Sequence, residues 1–227
     1  MKNFILILCF LFLNILIFGQ SGNQNVFMSS DKIFTLGKRV KSGESTIDGS
    51  PYLNGKDFEK VYIDGYTKEL PEMRYNAYSD EMEFYNKNEV YYIDKLEDVV
   101  INFPKLNKSY IVKKYRYSGN TVLGYLVLLS KKNSKLSLLK REKVELIAGE
   151  KSPNAYSKDS NDYFVKEKDL YLVSNGENLF KLPKNIDDLA VLLGLNKNDL
   201  KQYIKSNKLN YNTEQGLVEV FNYINKM

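Results

Sequence analysis

The apolar positions of this chain repeat with two periods, and the change between them falls at Pro183. Upstream the period is two. Met73, Tyr75 and Ala77 alternate with Arg74, Asn76 and Tyr78, and Met82 and Phe84 alternate with Glu81, Glu83 and Tyr85. This spacing predicts half-buried strands, with the Ser79-Asp80 break making a hairpin or a bulged strand. Tyr52–Leu53, Val61–Ile63, Val90–Ile93, Val99–Phe103 and Tyr110–Tyr117 extend the series. Thr121–Leu129 (TVLGYLVLL) is nearly continuous in apolar residues, which predicts a central strand covered on both faces. Turns are predicted at Gly119-Asn120, at Ser130–Ser134 and, as a hairpin, at Asn175-Gly176. Leu136–Leu139, Val144–Ala148, Tyr163–Val165, Leu170–Val173 and Leu179–Leu182 complete the strands. The gaps are too short for crossover helices, so the pairing is expected to be antiparallel.

Beyond Pro183 the period becomes helical. Ile186, Leu189, Ala190 and Leu193 are spaced as one helix face, with Asn185 as N-cap and Gly194 past the end. Leu200, Tyr203 and Ile204 form a second stripe. Leu217, Val220, Phe221 and Ile224 form a third, behind Thr213 as N-cap. Three short amphipathic helices must bury these stripes, and the sheet is the available surface. The expected fold is mainly β (α+β). It is an antiparallel, curved or half-barrel-like sheet over 46–182, with a small C-terminal helical region over 183–227 packed on it. A two-sheet sandwich is the alternative.

The N-terminus adds a compartment. Met1–Gly19 has a basic Lys2, an apolar run from Phe4 to Phe18 and a small residue at its end, which predicts a secretory signal peptide. A retained anchor is the alternative, although the run falls short of the roughly 20 residues a span requires. Cys9 lies inside the run rather than after it, which argues against a lipoprotein. Residues 20–45 are polar and read as a linker or arm. The expected location is the periplasm, the outer-membrane surface or the exterior, with no span in the mature chain.

Composition then narrows the chemistry. The 227 residues contain no His, no Trp and, in Cys9, a single Cys. Without the leader there is no material for a Ser/His/Asp triad, a Cys/His pair, a Cys/His zinc site or a disulfide framework. No cofactor is expected. The segment GSPYLNGK (Gly49–Lys56) misses the phosphate-loop spacing by one residue and is followed by Asp57, so it reads as a turn. Asp159-Ser160-Asn161-Asp162 clusters oxygen donors but has Phe164 where a calcium loop needs Gly, and reads as a solvated loop. Carboxylates are plentiful, among them Asp80/Glu81/Glu83, Glu97/Asp98 and Asp187/Asp188. A carboxylate-dependent hydrolase is therefore the enzyme class the composition leaves open. Asp187 and Asp188 also have a structural use in a helix's first turn.

Charge is sorted along the chain. Residues 100–143 carry 11 basic residues against one acidic residue, Glu142, within a net charge of only +5. Lys113, Lys114, Arg116, Lys131, Lys132, Lys135, Lys140 and Arg141 form the candidate ligand or partner surface, suited to an anionic lipid, an acidic glycan or an acidic protein. The competing expectation is that acidic residues just upstream, from Glu72 to Asp98, answer this charge within the fold. No nucleic-acid module is visible, and nucleic acid is not an expected partner.

Taken together, GSPYLNGKDFEKVYI, MRYNAYSDEMEF, GYLVLL ahead of a basic turn and the Lys-rich helical tail resemble a group of uncharacterised secreted proteins of Bacteroidetes-type bacteria. The resemblance spans roughly residues 45–227. It implies export and supplies no catalytic residue. The expected function is a non-enzymatic envelope protein that binds a ligand or partner through its curved sheet. The alternatives are docking of an anionic partner through residues 100–143, and the hydrolase.

Overall fold

Backbone pairing converts the period-two segments into three sheets. The computed structural model describes residues 36–38, 47–151, 159–176 and 178–227. The expected signal peptide at 1–19 lies outside them. The first sheet has the order β1-β5-β4-β3, built from β1 (Leu36–Lys38), β3 (Met73–Asn76), β4 (Glu81–Asn86) and β5 (Glu89–Ile93). The large sheet has seven strands in the order β13-β12-β9-β8-β7-β6-β2. They are β2 (Tyr62–Ile63), β6 (Val100–Phe103), β7 (Lys108–Tyr117), β8 (Asn120–Leu128), β9 (Ser137–Arg141), β12 (Leu170–Ser174) and β13 (Leu179–Lys181). A two-stranded ribbon joins β10 (Val144–Ile147) to β11 (Tyr163–Lys166). Every strand pair is antiparallel. The polar arm at 20–45 supplies β1, which pairs with β5 through Leu36↔Ile93.

Turn chemistry sets the hairpin registers. Lys87 and Asn88 both have positive φ, and so do Ser118 and Gly119. Two consecutive left-handed residues match the twist of the flanking strands. Asn120 thus opens β8 instead of ending the turn, one residue from the expected position. Tyr52–Leu53 is not a strand. Ser50 Oγ there accepts the Tyr52 N–H, and the Tyr52 ring lies 4.1 Å from the Arg74 guanidinium.

Neither sheet closes on itself; the large one ends at β13 and β2. Its inner face is covered in two parts. Over β2 and β6–β8, Ile63, Ile101, Phe103, Tyr110, Val112, Tyr125 and Val127 meet Met73, Tyr75, Met82, Phe84, Tyr91 and Ile93 of the small sheet. This part is sandwich-like. Tyr75 stands between Tyr110, at a ring separation of 4.6 Å, and Tyr125, at 5.8 Å. Over β9 and β12, Leu138 and Val173 instead meet the helices. These are α1 (Ile186–Leu193), α2 (Lys197–Ser206) and α3 (Glu214–Ile224). Asn185 and Thr213 cap α1 and α3 through their side-chain oxygens, and Gly194 ends α1 at φ 64°. The helical stripes are buried as their period predicts, through Leu189, Ala190, Leu200, Leu217, Val220, Phe221 and Ile224.

The β7–β8 hairpin is longer than its neighbours. β8 pairs with β9 only at Val127 and Leu128, leaving the remainder without a third strand on that side. Two side chains occupy the vacated edge. Asp80 accepts the Tyr125 N–H at 3.2 Å, and Lys95 donates to the Leu123 carbonyl at 3.2 Å. The two are themselves paired at 2.5 Å. Gly124 lies between those positions, and a Cβ there would approach Asp80 Oδ2 to 2.8 Å. The end of the hairpin curls over the outer face, where Tyr115 and Tyr117 join Leu126, Leu139 and Leu172.

Gly216, in the first turn of α3, tests this packing. Alanine is the better helix former by about 1 kcal/mol. A Cβ at Gly216 would, however, sit 1.9 Å from the Asn210 carbonyl oxygen, which is backbone and has little room to yield. Overpacking of this kind costs about 1–3 kcal/mol. Gly216→Ala is expected to lower the melting temperature, as read by circular dichroism, despite its propensity gain.

Candidate functional site

The eight candidate cations do not share one environment. Five are paired with carboxylates: Lys113 with Asp98, Lys114 with Glu97 at 2.8 Å, Lys132 with Asp64, Lys140 with Glu142 and Glu214, and Arg141 with Glu167 at 3.2 Å. Alternation along β7 sends Lys113 and Lys114 to opposite faces, although their acids are neighbours in sequence. Arg141 lies 3.9 Å from the Tyr117 ring centre, so this aromatic grips an internal cation. Lys135 is exposed on the turn before β9. Lys131 borders a polar cleft of about 320 Å³ with Lys108 and Tyr62. Arg116 enters a different cleft, described below.

Lys140, Arg141 and Glu142 are all buried at the end of β9. Glu142 collects three donors: Lys108 Nζ at 3.1 Å, Lys140 Nζ at 3.0 Å and Tyr110 Oη at 3.1 Å. Asn54 accepts from Lys108 and donates to Tyr110, both at 2.7 Å, which closes the network. Burial alone would push the Glu142 carboxyl up, but the Lys108 and Lys140 ammonium groups outweigh it and hold it below 4.5. Burial would likewise lower Lys140, but Glu214 and Glu142 outweigh it and raise it. A second buried carboxylate, Glu83, accepts from Arg74 Nε at 2.9 Å, Asn76 Nδ2 at 2.8 Å and Tyr52 Oη at 3.0 Å. Each carboxylate is enclosed by three donors from the fold, an arrangement that braces the structure and leaves neither free to serve as a general acid.

The space between the sheets is filled by the tyrosines and methionines of the core, so open volume lies at the rim. A cleft of about 590 Å³ runs between the curled hairpin, the β12–β13 edge and α1. Leu172, Leu179, Phe180, Val191 and Leu192 supply its apolar wall. Val191 is 83% exposed, and Phe180 and Leu192 are each 37% exposed, so the wall presents apolar surface to solvent. Arg116 and Lys181 bring positive charge to the same wall, and neither is ion-paired among the described residues. Asp188 is the one carboxylate in the lining, and it accepts from the Asn185 amide at 2.8 Å. Sequence reasoning placed Arg116 in a charged run. It missed the apolar wall, which three consecutive elements, β12, β13 and α1, assemble only once folded beside Arg116; the exposed Val191 on the polar side of α1 carried a local signal.

The loops tested for ligand chemistry have structural uses. Asp162 accepts the Gly149 N–H at 2.9 Å, and Ser160 Oγ accepts the Glu150 N–H at 2.7 Å, bracing the ribbon. Gly49 takes φ 83° beside the Phe164 backbone. Among the described residues no group of three His, Cys, Asp or Glu gathers as a metal site, and no helix is long and apolar enough to cross a membrane. Compared with known protein families, curated proteins and solved structures, the chain finds no significant match.

The Glu142 network carries a pH signature. A carboxyl depressed in the folded state contributes its full stability above its unfolded value, near 4.5, and loses it as pH falls through the folded value. Glu142→Gln is expected to lower unfolding stability at neutral pH by about 3 kcal/mol, because it leaves buried ammonium groups undercompensated. Urea denaturation across pH is expected to show the gap between parent and variant narrowing below pH 4.5.

Proposed function

We propose that this is an exported, non-catalytic binding protein of a bacterial envelope, and that the rim cleft at Arg116 is its ligand site. The observation that carries the reading is the contrast at that cleft. Five of the eight cations of the basic run are answered by carboxylates within the fold, whereas Arg116 stands unpaired beside exposed Val191, Phe180 and Leu192. An apolar wall with one or two cations at its margin suits an amphipathic anion, with the tail on the wall and the head at the guanidinium. Export rests on the predicted leader and on the resemblance to secreted bacterial proteins. The filled core speaks against an internal lipid cavity, and with it against a carrier that encloses its cargo. The hydrolase alternative finds little support in the clefts: one carboxylate lines the Arg116 cleft, and none lines the polar cleft at Lys131.

Dodecanoate is a suitable first probe. Titration followed by methyl NMR is expected to move Leu179, Val191 and Leu192 together. Arg116→Gln removes a charged hydrogen bond worth about 1.5–3 kcal/mol and is expected to weaken binding roughly ten- to hundredfold. Val191→Asp is expected to abolish it. Shifts confined to other surfaces, or binding that ignores both substitutions, would remove the cleft from consideration. Native mass spectrometry of the protein from its own envelope then identifies the natural ligand.

A further inference from the structure

A second cleft, of about 530 Å³, lies between the start of α1, the second half of α2 and the loop leading to α3. It is separate from the Arg116 cleft and takes nothing from residues 100–143. Lys184, Lys201, Lys205 and Lys208 line it, with Asn185 and Asn212. Ile204 and Tyr211 contribute apolar surface. No carboxylate is part of the lining.

Its charge is left largely unanswered. Lys201 reaches Asp187 at 2.7 Å, but Asp187 is shared with Lys197 at 2.6 Å. Asp188, in the first turn of α1, is engaged by the Asn185 amide at 2.8 Å. Lys184, Lys205 and Lys208 have no ion pair among the described residues. Like charges that share one cleft repel one another, the more so at low ionic strength. In the basic run of 100–143 five of the eight candidate cations, Lys113, Lys114, Lys132, Lys140 and Arg141, each meet a carboxylate. Here it gathers four and answers one.

Lys208 sharpens the contrast. It follows the end of α2 at φ 52°, where its N–H donates to the Lys205 carbonyl at 3.2 Å and the Leu209 N–H donates to Ile204 at 3.0 Å. Glycine is the usual residue at such a helix end, and a side chain there costs about 1–2 kcal/mol. The position nonetheless brings a fourth ammonium to the cleft. Lysine ammonium groups act as compact point charges with three donors each, suited to the oxygens of a multiply charged phosphate.

We propose that this cleft binds a multiply charged phosphate group, carried either by a soluble phosphate ester or by a phosphorylated lipid headgroup. The lysines neutralise its charge, the Asn212 amide supplies a further donor, and Tyr211 and Ile204 flank whatever the phosphate is attached to. Inorganic pyrophosphate is the probe for the shared chemistry. Calorimetry and backbone NMR at low salt are expected to show one site per chain, with shifts at Asn185 and across Lys205–Asn212. Lys184→Gln with Lys205→Gln and Lys208→Gly is expected to weaken binding by roughly tenfold or more. Lys208→Gly alone is expected to weaken binding while raising the melting temperature, a combination that loss of structure cannot produce. Arg116→Gln is expected to leave pyrophosphate binding unchanged, which separates this site from the dodecanoate site.

Vesicles distinguish the sources. Phosphatidylcholine vesicles containing phosphatidic acid that compete with pyrophosphate assign the site to a lipid headgroup. Pyrophosphate binding without vesicle binding assigns it to a soluble ester. The proposal is overturned if neither pyrophosphate nor phosphatidic acid binds, if the triple substitution leaves binding intact, or if phosphatidylserine vesicles bind as well as those with phosphatidic acid.

Discussion

One buried ammonium, Lys140, joins the parts of this protein that sequence keeps apart. It leaves β9 between Glu142, at 3.0 Å, and Glu214 in the first turn of α3, at 2.7 Å. Glu142 is also held by Lys108 and Tyr110 of β7, and Glu214 also accepts the Tyr171 hydroxyl of β12 at 3.2 Å. Three strands and a helix thus meet on one chain of charges. Taking such groups out of water costs several kcal/mol per ion, and attraction offsets this only when every partner is present. The network therefore favours a single docking of the helices on the sheet. Apolar stripes alone would permit small slides of α3 across Leu138 and Val173.

This arrangement also explains what was legible in the sequence. Caps and stripes were, because their chemistry is local: Asn185 and Thr213 meet backbone within three residues, and the burial of Leu189, Val220 and Phe221 follows from spacing. The hairpin at Ser118-Gly119 was legible to within one residue, since Gly119 marks a turn without fixing which residues flank it. The basic run was visible as a count, but its partners were not. Glu97 and Asp98 do come from the upstream acidic stretch. Glu83 and Asp80, from the same stretch, serve Arg74 and Lys95 instead. Asp64, Glu167 and Glu214 lie outside that stretch and reach the run only through the topology. The lysine cleft was hidden for a related reason. Its cations are diluted among the acids of 181–227, and the bend at Pro183 and the loop after α2 gather them.

The core and the clefts divide the work of the molecule. Tyrosine-rich packing fills the space between the sheets, and two of the clefts described lie on the flanks of α1. One flank is apolar with a cationic margin, and the other is cationic with an apolar floor. A helix of eight residues thereby separates two surfaces of opposite character.

The side-chain pair at the edge of β8 has a consequence for what the protein refuses. An uncovered strand edge offers a ready template for any extended chain, including another copy of the same protein. Asp80 and Lys95 occupy the Tyr125 donor and the Leu123 acceptor that an intruding strand would need first. To enter there, a stranger would have to break an ion pair and match two backbone groups in the same step. The longest hairpin of the fold can therefore stand clear of its sheet without becoming an invitation to polymerise.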